Sequence, residues 1–348
     1  TVGAGAMLGS IAGGLIGIIV LILYMRHDFR SIFFKSVKRI KGKKKIIKIL
    51  FWQGLAICVS NLVLIFIQMA DSVSFYSLLI GAGEPAESAK VLKGVYDRSI
   101  PLMQLGTVVT TSFSLSLIPI ITAAKERGDL TFIREKVRLA MKITFVIGFA
   151  AAVGLACIIQ PTNIMLFENS DGSDVLSILS LSILFSSLSI TTASILQGLG
   201  QTLKPAIFVV FGGCLKLVLN YILMPYFGAK GAAIATLVAL IVISVLNSVL
   251  LMRAVSESLI DKRNMLGIVI SGFSMGFVLI MFMRVLQMSG LVMDTSHRGV
   301  ATFEALLGVA IGGLAYMFLI LKLRVFTKKE LGTVMKQEKK EGSLKKSG

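Results

Sequence analysis

The sequence predicts an all-α integral membrane protein, a polytopic helix bundle with about nine membrane-spanning helices. Hydrophobic residues make up 55% of the 348-residue chain and charged residues only 16%, whereas soluble proteins average about 25% charged residues. Apolar stretches of about 20 residues, long enough to cross a bilayer as helices, recur along the whole sequence. The basic residues gather between those stretches, which is typical of membrane proteins.

Each predicted span is an apolar stretch that ends where charged or turn-forming residues begin. The first two flank the segment RHDFRSIFFKSVKRIKGKKKIIK, and the third follows an aspartate and an arginine at 97–98. Short polar turns such as FENSDGSD divide the middle spans, and SESLIDKRN and MDTSHRG precede the last two. The predicted spans are 2–24, 49–71, 98–122, 139–160, 174–196, 204–226, 231–252, 265–288 and 301–321.

The charge of the connecting segments alternates and predicts the orientation of the chain. Segment 26–48 holds ten Lys or Arg residues against one Asp, and segments 125–138 and 322–348 are also basic. Segment 82–97 is slightly acidic, and 167–174 carries only acidic charges. Since cytoplasmic loops are rich in Lys and Arg, we expect a multi-pass cell-membrane protein with residue 1 outside and a cytoplasmic C terminus.

The sequence argues against several functional classes. The net charge of +18 does not indicate nucleic-acid binding, because the positive-inside rule accounts for the basic loops. Cys58, Cys157 and Cys214 lie inside apolar stretches, and His27 and His297 lack ligand clusters, so no disulfide framework or metal site is predicted. Without a Walker A motif or a nucleophile beside a base, the chain is predicted to be no enzyme and to hold no cofactor. An ion gradient or the membrane potential stays open as the energy source.

The start of the third span, KGVYDRSIPLMQLG at 93–106, places a cation and a proline where lipid favours neither. If the helix begins before Arg98, Pro101 removes the hydrogen bond to the Asp97 carbonyl and bends the chain. If it begins after Arg98, the cation lies at the positive end of the helix dipole. Both arrangements favour an anionic partner, because the guanidinium fork suits phosphate and carboxylate oxygens. Pairing with Asp97 or with lipid headgroups is the alternative.

Polar residues continue along the same span. Gln104, Thr107, Thr111 and Ser114 recur at three- and four-residue steps, which predicts a stripe that lines water or packs against another helix. The Ser- and Thr-rich span 174–196 is predicted to pack closely against its neighbours.

Lys216 lies about 18 Å from Lys204 along a straight helix, too deep for its stem to reach the membrane surface easily. Asn220 follows on the same helical face. The pair could face a water-filled cavity, or it could form an ion pair or amide bridge between helices. Asp71, about 33 Å from Ile49, is expected at the outer interface.

Two segments resemble the multidrug/oligosaccharidyl-lipid/polysaccharide exporter superfamily, most closely its lipid II flippases (MurJ) and SpoVB-like polysaccharide-biosynthesis relatives. GVYDRSIPLMQLGTVVTTSFSLSLIPIITAA is similar to the eighth helix of that family. ILQGLGQTLKPAIFVVFGGCLKLVLNYILMPYFGAKGAAIATL is similar to helices ten to twelve, with its Lys-Pro, Lys-x-x-x-Asn and Gly-Ala-Ala-Ile-Ala-Thr patterns.

This resemblance implies a fourteen-helix fold in which two six-helix lobes face each other across a cavity, followed by two extra helices. The chain would then start at the sixth helix, which explains a start outside. The implied regions are the last helix of the first lobe (1–24), a basic cytoplasmic loop (25–48), the second lobe (49–252), the extra helices (265–321) and a basic cytoplasmic tail (322–348).

The resemblance also implies a transporter that flips a polyprenyl-pyrophosphate-linked saccharide, with lipid II first among the candidates, for cell-wall synthesis. Arg98 matches a cavity arginine that meets the pyrophosphate. Gln104, Lys216 and Asn220 complete the predicted substrate-binding set, although the family pattern gives Lys216 and Asn220 no defined role. The implied partners are the lipid-linked oligosaccharide pyrophosphate, membrane lipids and cell-wall synthesis proteins. The alternatives are a teichoic-acid or capsule repeat-unit flippase, a cation-coupled multidrug exporter and a non-transporting membrane scaffold.

Overall fold

The computed structural model describes residues 12–20, 22–23, 43–256, 261–288 and 298–326. Within these ranges the regular elements are helices, and no strand occurs. Besides the helical residues at 12–20 and 22–23, the helices are α1 (Lys43–Asn61), α2 (Val63–Gly81), α3 (Ala86–Asp97), α4 (Ser99–Glu126), α5 (Leu130–Cys157), α6 (Ile159–Phe167), α7 (Ser173–Gly198), α8 (Leu203–Phe227), α9 (Ala229–Val255), α10 (Lys262–Met288) and α11 (Arg298–Lys322).

The chain forms two compact units, Thr1–Trp52 and Gln53–Gly348. In the first, the helical residues at 12–20 expose large apolar side chains, as expected where lipid covers them. The second unit contains α2 to α11 and carries every candidate site residue. Most of predicted span 2–24, and most of the predicted segments 25–48 and 322–348, lie outside the described residues.

Eight helical stretches in the described part of the chain are long and apolar enough to cross a membrane, which confirms the polytopic helical bundle. Helices α3 and α4 together make one of these stretches, Ala86–Glu126. The third to ninth predicted spans fall on α4, α5 and α7 to α11.

The second predicted span, 49–71, has different limits in the structure. Helix α1 ends at Asn61 and α2 begins at Val63, but the Leu62 N–H still bonds to the carbonyls of Cys58 and Val59 at 3.1 and 3.2 Å. The membrane-length apolar helix is therefore Val63–Gly81. The predicted span, counted from Ile49, ends at Asp71 after about 33 Å, whereas in the structure Asp71 lies inside α2 and is buried.

A single residue connects α3 to α4. Helix α3 ends at Asp97, Arg98 alone lies between the two helices, and its N–H bonds to the Val95 carbonyl at 3.2 Å. Pro101 then falls in the first turn of α4, where a missing N–H costs little. Of the two predicted arrangements, the structure has the helix that begins after Arg98.

Helix α7 forms the centre of the second unit and packs against α4, α5 and α9. Its hydroxyl groups bond across these interfaces: Thr110 to Ser187 at 3.0 Å, and Thr191 to Ser114 and Thr144 at 2.7 and 2.9 Å. The Ser- and Thr-rich span is therefore a packing surface, as predicted.

Helices α10 and α11 pack against each other, and they reach the rest of the unit through α5 and α6. A close approach marks the first contact: a Cβ added to Gly312 would lie 3.0 Å from the Leu279 side chain. Small residues at such crossings let helix backbones come together in a membrane.

Candidate functional site

Arg98, at the junction between α3 and α4, is half-buried and held by neutral groups. Its Nη1 donates hydrogen bonds to the Oδ1 atoms of Asn163 and Asn169 at 3.2 and 2.5 Å. The guanidinium carbon lies 4.9 Å from the centre of the Phe167 ring, a distance typical of a cation–π contact. Short helix α6 and the turn after it thus supply all three contacts.

Within the described ranges, no carboxylate forms an ion pair with Arg98. Three acids of the adjoining segments pair with other cations: Asp97 with Lys93, Glu168 with Arg298 at 2.8 Å, and Asp174 with Lys230 at 2.7 Å. The alternative in which Asp97 neutralises Arg98 is therefore not what the structure shows. The arginine keeps its positive charge without an acidic partner from the described chain.

Asn163 was not predicted as a site residue. Its side chain is fully buried in α6, and its Nδ2 donates to the Asp171 carbonyl at 2.9 Å and to Ser173 Oγ at 3.0 Å. These two bonds use the NH₂ group, so the amide oxygen faces Arg98. The sequence signal that could have identified it is an asparagine in the short segment between two predicted spans.

Lys216 is enclosed in the bundle and fully paired. Its Nζ donates to Asp71 Oδ2 at 2.5 Å and to the Ile67 carbonyl at 3.1 Å, while Asn220 Nδ2 donates to Asp71 Oδ1 at 3.2 Å and to Ser74 Oγ at 2.9 Å. The two predicted interpretations were a water-filled cavity and a bridge between helices. This geometry corresponds to the second, with an ion pair from Lys216 and an amide bridge from Asn220. Asp71 is 3% exposed in the middle of α2, so its expected place at the outer interface was wrong.

A small polar cavity of about 110 Å³ lies beside this ion pair. Asp71 and Lys216 line it from α2 and α8, and the half-exposed pair Lys93–Asp97 lines it from α3. The volume is enough for a few water molecules, since each needs about 30 Å³. Consecutive residues at the α3–α4 junction therefore face different groups: Asp97 this cavity, and Arg98 the α6 side.

Gln104 does not join either cluster. It is exposed on α4, about 9 Å along the helix axis from Arg98, whereas Thr107 and Ser114 of the same predicted stripe are buried. The hydroxyls of Thr107 and Thr111 bond to carbonyls of their own helix. A substrate-binding role for Gln104 stays a prediction.

A larger, apolar cavity of about 530 Å³ lies between α4, α5, α6, α7, α10 and α11. It begins one helical turn from Arg98, because Leu102 lines it. A fixed cation therefore lies one helical turn from an apolar chamber.

Comparisons with known proteins show what the chain as a whole is similar to. Residues 94–222 match the MatE family. Over 339 residues the chain is 38% identical to "Uncharacterized membrane protein YabM" of Bacillus subtilis (strain 168), covering 96% of this chain and 62% of YabM. Over 272 residues it is 26% identical to "Lipid II flippase MurJ" of the same organism, covering 76% of this chain and 48% of MurJ.

The fold is also similar to a solved structure, "Lipid II flippase MurJ, inward closed conformation", with a TM-score of 0.54 and 19% identity over 87% of this chain and 59% of that chain. The chain therefore spans between about half and three-fifths of the length of these relatives. The MatE match at 94–222 includes Arg98, Asn163 and Lys216. The predicted resemblance to the exporter superfamily is confirmed by the MatE match and by the similarity to MurJ. The named relatives are a membrane protein and a flippase, in line with the prediction that the chain is not an enzyme.

Proposed function

We propose that the intact protein is a flippase that carries a polyprenyl-pyrophosphate-linked saccharide, with lipid II as its cargo, from the cytoplasmic to the outer leaflet. The observation that carries the proposal is Arg98: a half-buried guanidinium, without a carboxylate from the described residues, one helical turn from a residue that lines an apolar cavity. A lipid with an anionic head and a hydrocarbon tail suits both features, the head matching the guanidinium and the tail matching the apolar cavity.

The physical task is to move a hydrated anion past about 30 Å of hydrocarbon. A phosphate that leaves water loses its hydration, and charge-assisted hydrogen bonds from an arginine offset that loss. Arg98 suits this role because its planar fork can donate two parallel bonds to phosphate oxygens. The substrate-binding set proposed here has Arg98 at its centre, with Gln104 farther along α4.

Lys216 and Asn220 receive a different role under this proposal. Their side chains are committed to Asp71, so they hold α8 against α2 rather than bind the cargo in this conformation. Helices α2 and α8 would then move as one body when the two lobes of the intact protein rock between inward- and outward-open states.

The apolar cavity supports the tail half of the proposal. Its lining is almost entirely aliphatic, with Thr162 and Tyr316 as the polar exceptions, and the Tyr316 hydroxyl is already bonded to the Val146 carbonyl at 3.0 Å. A polyprenyl chain could lie there, or stay in the bilayer, while the head moves. Membrane lipids and cell-wall synthesis proteins remain the proposed partners.

The energy source is proposed to include the membrane potential. A cationic site that moves with its anionic cargo feels this field, which is worth about 2.3 kcal/mol per elementary charge per 100 mV.

The test is Arg98→Ala in the full-length protein, with lipid II exposed on the outer leaflet as the readout. We expect exposure to stop while the protein stays in the membrane at its normal level. Arg127→Ala is the matched control, because Arg127 is an exposed cation at the other end of α4 and should leave exposure unchanged. Normal exposure in Arg98→Ala would refute the proposal.

A multidrug exporter of the same superfamily is the second candidate, because the MatE match is compatible with it. Cationic drugs call for a buried carboxylate that is free to bind them. In the described residues, Asp71 is the deep carboxylate of the polar cavity, and Lys216 already occupies it. Export of teichoic-acid or capsule units shares the pyrophosphate chemistry, so the same exposure assay with those lipids separates it.

A further inference from the structure

We infer that Asn163 and Asn169 are positioning residues of the proposed anion site: they fix the Arg98 guanidinium while leaving its charge uncompensated for the headgroup. This inference rests on the proposed function. It assigns a role to the connection between α6 and α7, which the sequence patterns did not single out.

The orientation of Asn163 is fixed by its surroundings. The side chain is fully buried, and both NH₂ bonds point away from Arg98, to the Asp171 carbonyl and Ser173 Oγ. A flipped amide would put its oxygen against the Asp171 carbonyl, another acceptor, and lose that hydrogen bond. The oxygen is therefore held toward the guanidinium.

Asn169 acts from the turn that follows α6. Its Oδ1 accepts from Arg98 Nη1 at 2.5 Å and from the Asp171 backbone N–H at 3.2 Å. Both amides use Nη1, so Nε and Nη2 have no hydrogen-bond partner among the described residues. Those two nitrogens keep their donors for a ligand, while Phe167 supports the flat face of the group.

The side chains that accept hydrogen bonds from Arg98 are amides and not carboxylates. An aspartate at either position would bring a negative charge to within hydrogen-bond distance of Arg98 and compete directly with a phosphate. Acidic side chains are available in the same turn, at Glu168 and Asp171. In the structure, however, Arg298 engages Glu168, and the two groups that touch Arg98 are neutral.

The experiment compares two probes on the purified full-length protein: farnesyl pyrophosphate, a short polyprenyl diphosphate, and farnesol, its uncharged counterpart. In wild type we expect the diphosphate to bind more tightly than the alcohol. Asn169→Asp should weaken diphosphate binding about tenfold or more, the scale of a hydrogen bond to a charged group. Farnesol binding should not change, because the apolar cavity is untouched.

Two control variants separate charge from shape. Asn169→Ser keeps a neutral acceptor and should stay within about threefold of wild type. Glu168→Gln removes a charge from the adjacent residue without touching Arg98 and should leave both affinities unchanged. Asn163→Asp should repeat the effect of Asn169→Asp from the other amide.

The outcomes are distinguishable. Unchanged diphosphate affinity in Asn169→Asp, with affinity lost in Arg98→Ala, would overturn this inference and leave the proposed function standing. A parallel loss of farnesol and diphosphate binding in Asn169→Asp would also overturn it, because that pattern indicates a damaged fold. If Arg98→Ala keeps the preference for the diphosphate, the proposed function fails and this inference fails with it.

Discussion

Two cations of this protein, Arg98 and Lys216, lie inside the same helical unit in opposite electrostatic settings. Lys216 is fully buried and bonded to the Asp71 carboxylate. Arg98 is half-buried and bonded to two asparagine oxygens. Depth in the bundle is therefore a poor guide to function here. Compensation of the charge distinguishes a cation that holds helices together from one that is available to a ligand.

The physical reason is desolvation. A buried charge is costly unless a counter-charge and hydrogen bonds replace its water, and Lys216 receives both from α2. Arg98 receives only dipoles and a ring face, so its remaining favourable partner is an anion. The same difference gives separate predictions for stability and for binding.

The largest effect is expected from Lys216→Met, which would leave Asp71 as a buried carboxylate without its cation. Removing one member of a buried pair costs about 3–5 kcal/mol. Purified full-length Lys216→Met should therefore unfold at a clearly lower temperature than wild type, or be recovered in low yield. The double variant Lys216→Met/Asp71→Leu should regain most of the loss, since no unpaired charge remains. If the double variant were as unstable as the single one, the ion pair would not be what holds α2 and α8 together.

Arg98→Ala should be a milder change in stability and a severe one in binding. It leaves the Asn163 oxygen unpaired but no buried charge, a cost of about 1–3 kcal/mol. Both quantities can be measured on one preparation of the protein. The unfolding temperature should fall slightly, whereas the affinity for farnesyl pyrophosphate should fall steeply. A loss of stability equal to that of Lys216→Met would erase the distinction between the two cations.

For each of the two cations, the sequence indicates the cation itself but not the side chains that contact it. The spacing from Lys204 correctly indicates that Lys216 is too deep for the surface. The same count along a span that starts at Ile49 places Asp71 at the outer interface, because it misses the break between α1 and α2. Lys216 and Asp71 are 145 residues apart, and apolar periodicity says nothing about which faces of distant helices meet.

The same limit applies to Arg98. The proline and the aspartate beside it mark the junction, but Asn163 and Asn169 lie 65 and 71 residues away, in short helix α6 and in the polar turn that follows it. The spans themselves were predictable, because length and hydropathy are local properties. Which polar groups compensate which charges is a property of the packed bundle.

Thr191→Val tests whether uncharged polar contacts matter less than either cation. The Thr191 hydroxyl bonds to Ser114 of α4 and Thr144 of α5, and hydrogen bonds between membrane helices average about 0.6 kcal/mol. We expect a loss of about 1 kcal/mol in the free energy of unfolding and no change in diphosphate affinity. A loss as large as that of Lys216→Met would show that the hydroxyl network, and not the ion pair, dominates the stability of the unit.

The smallest effect on stability is expected at Asp129, which, unlike Lys216, carries its charge in contact with water. It is exposed at the N terminus of α5, where its carboxylate accepts from the Phe132 backbone N–H at 3.0 Å and from the Thr131 hydroxyl at 3.0 Å. The backbone bond first, and the hydroxyl second, lower the pKa of Asp129 from its ordinary 3.8. Since the folded state has the lower pKa, this stabilisation is complete above pH 3.8 and disappears as the pH falls through the folded value.

Asp129→Asn keeps a neutral cap at this position but cannot titrate. The difference in unfolding temperature between wild type and Asp129→Asn should be small at pH 6 and should shrink as the pH approaches 3. The difference between wild type and Lys216→Met should be the larger of the two at pH 6. If the Asp129 difference did not change with pH, its carboxylate would contribute only as an uncharged acceptor, and the protein would draw no stability from this solvent-exposed charge.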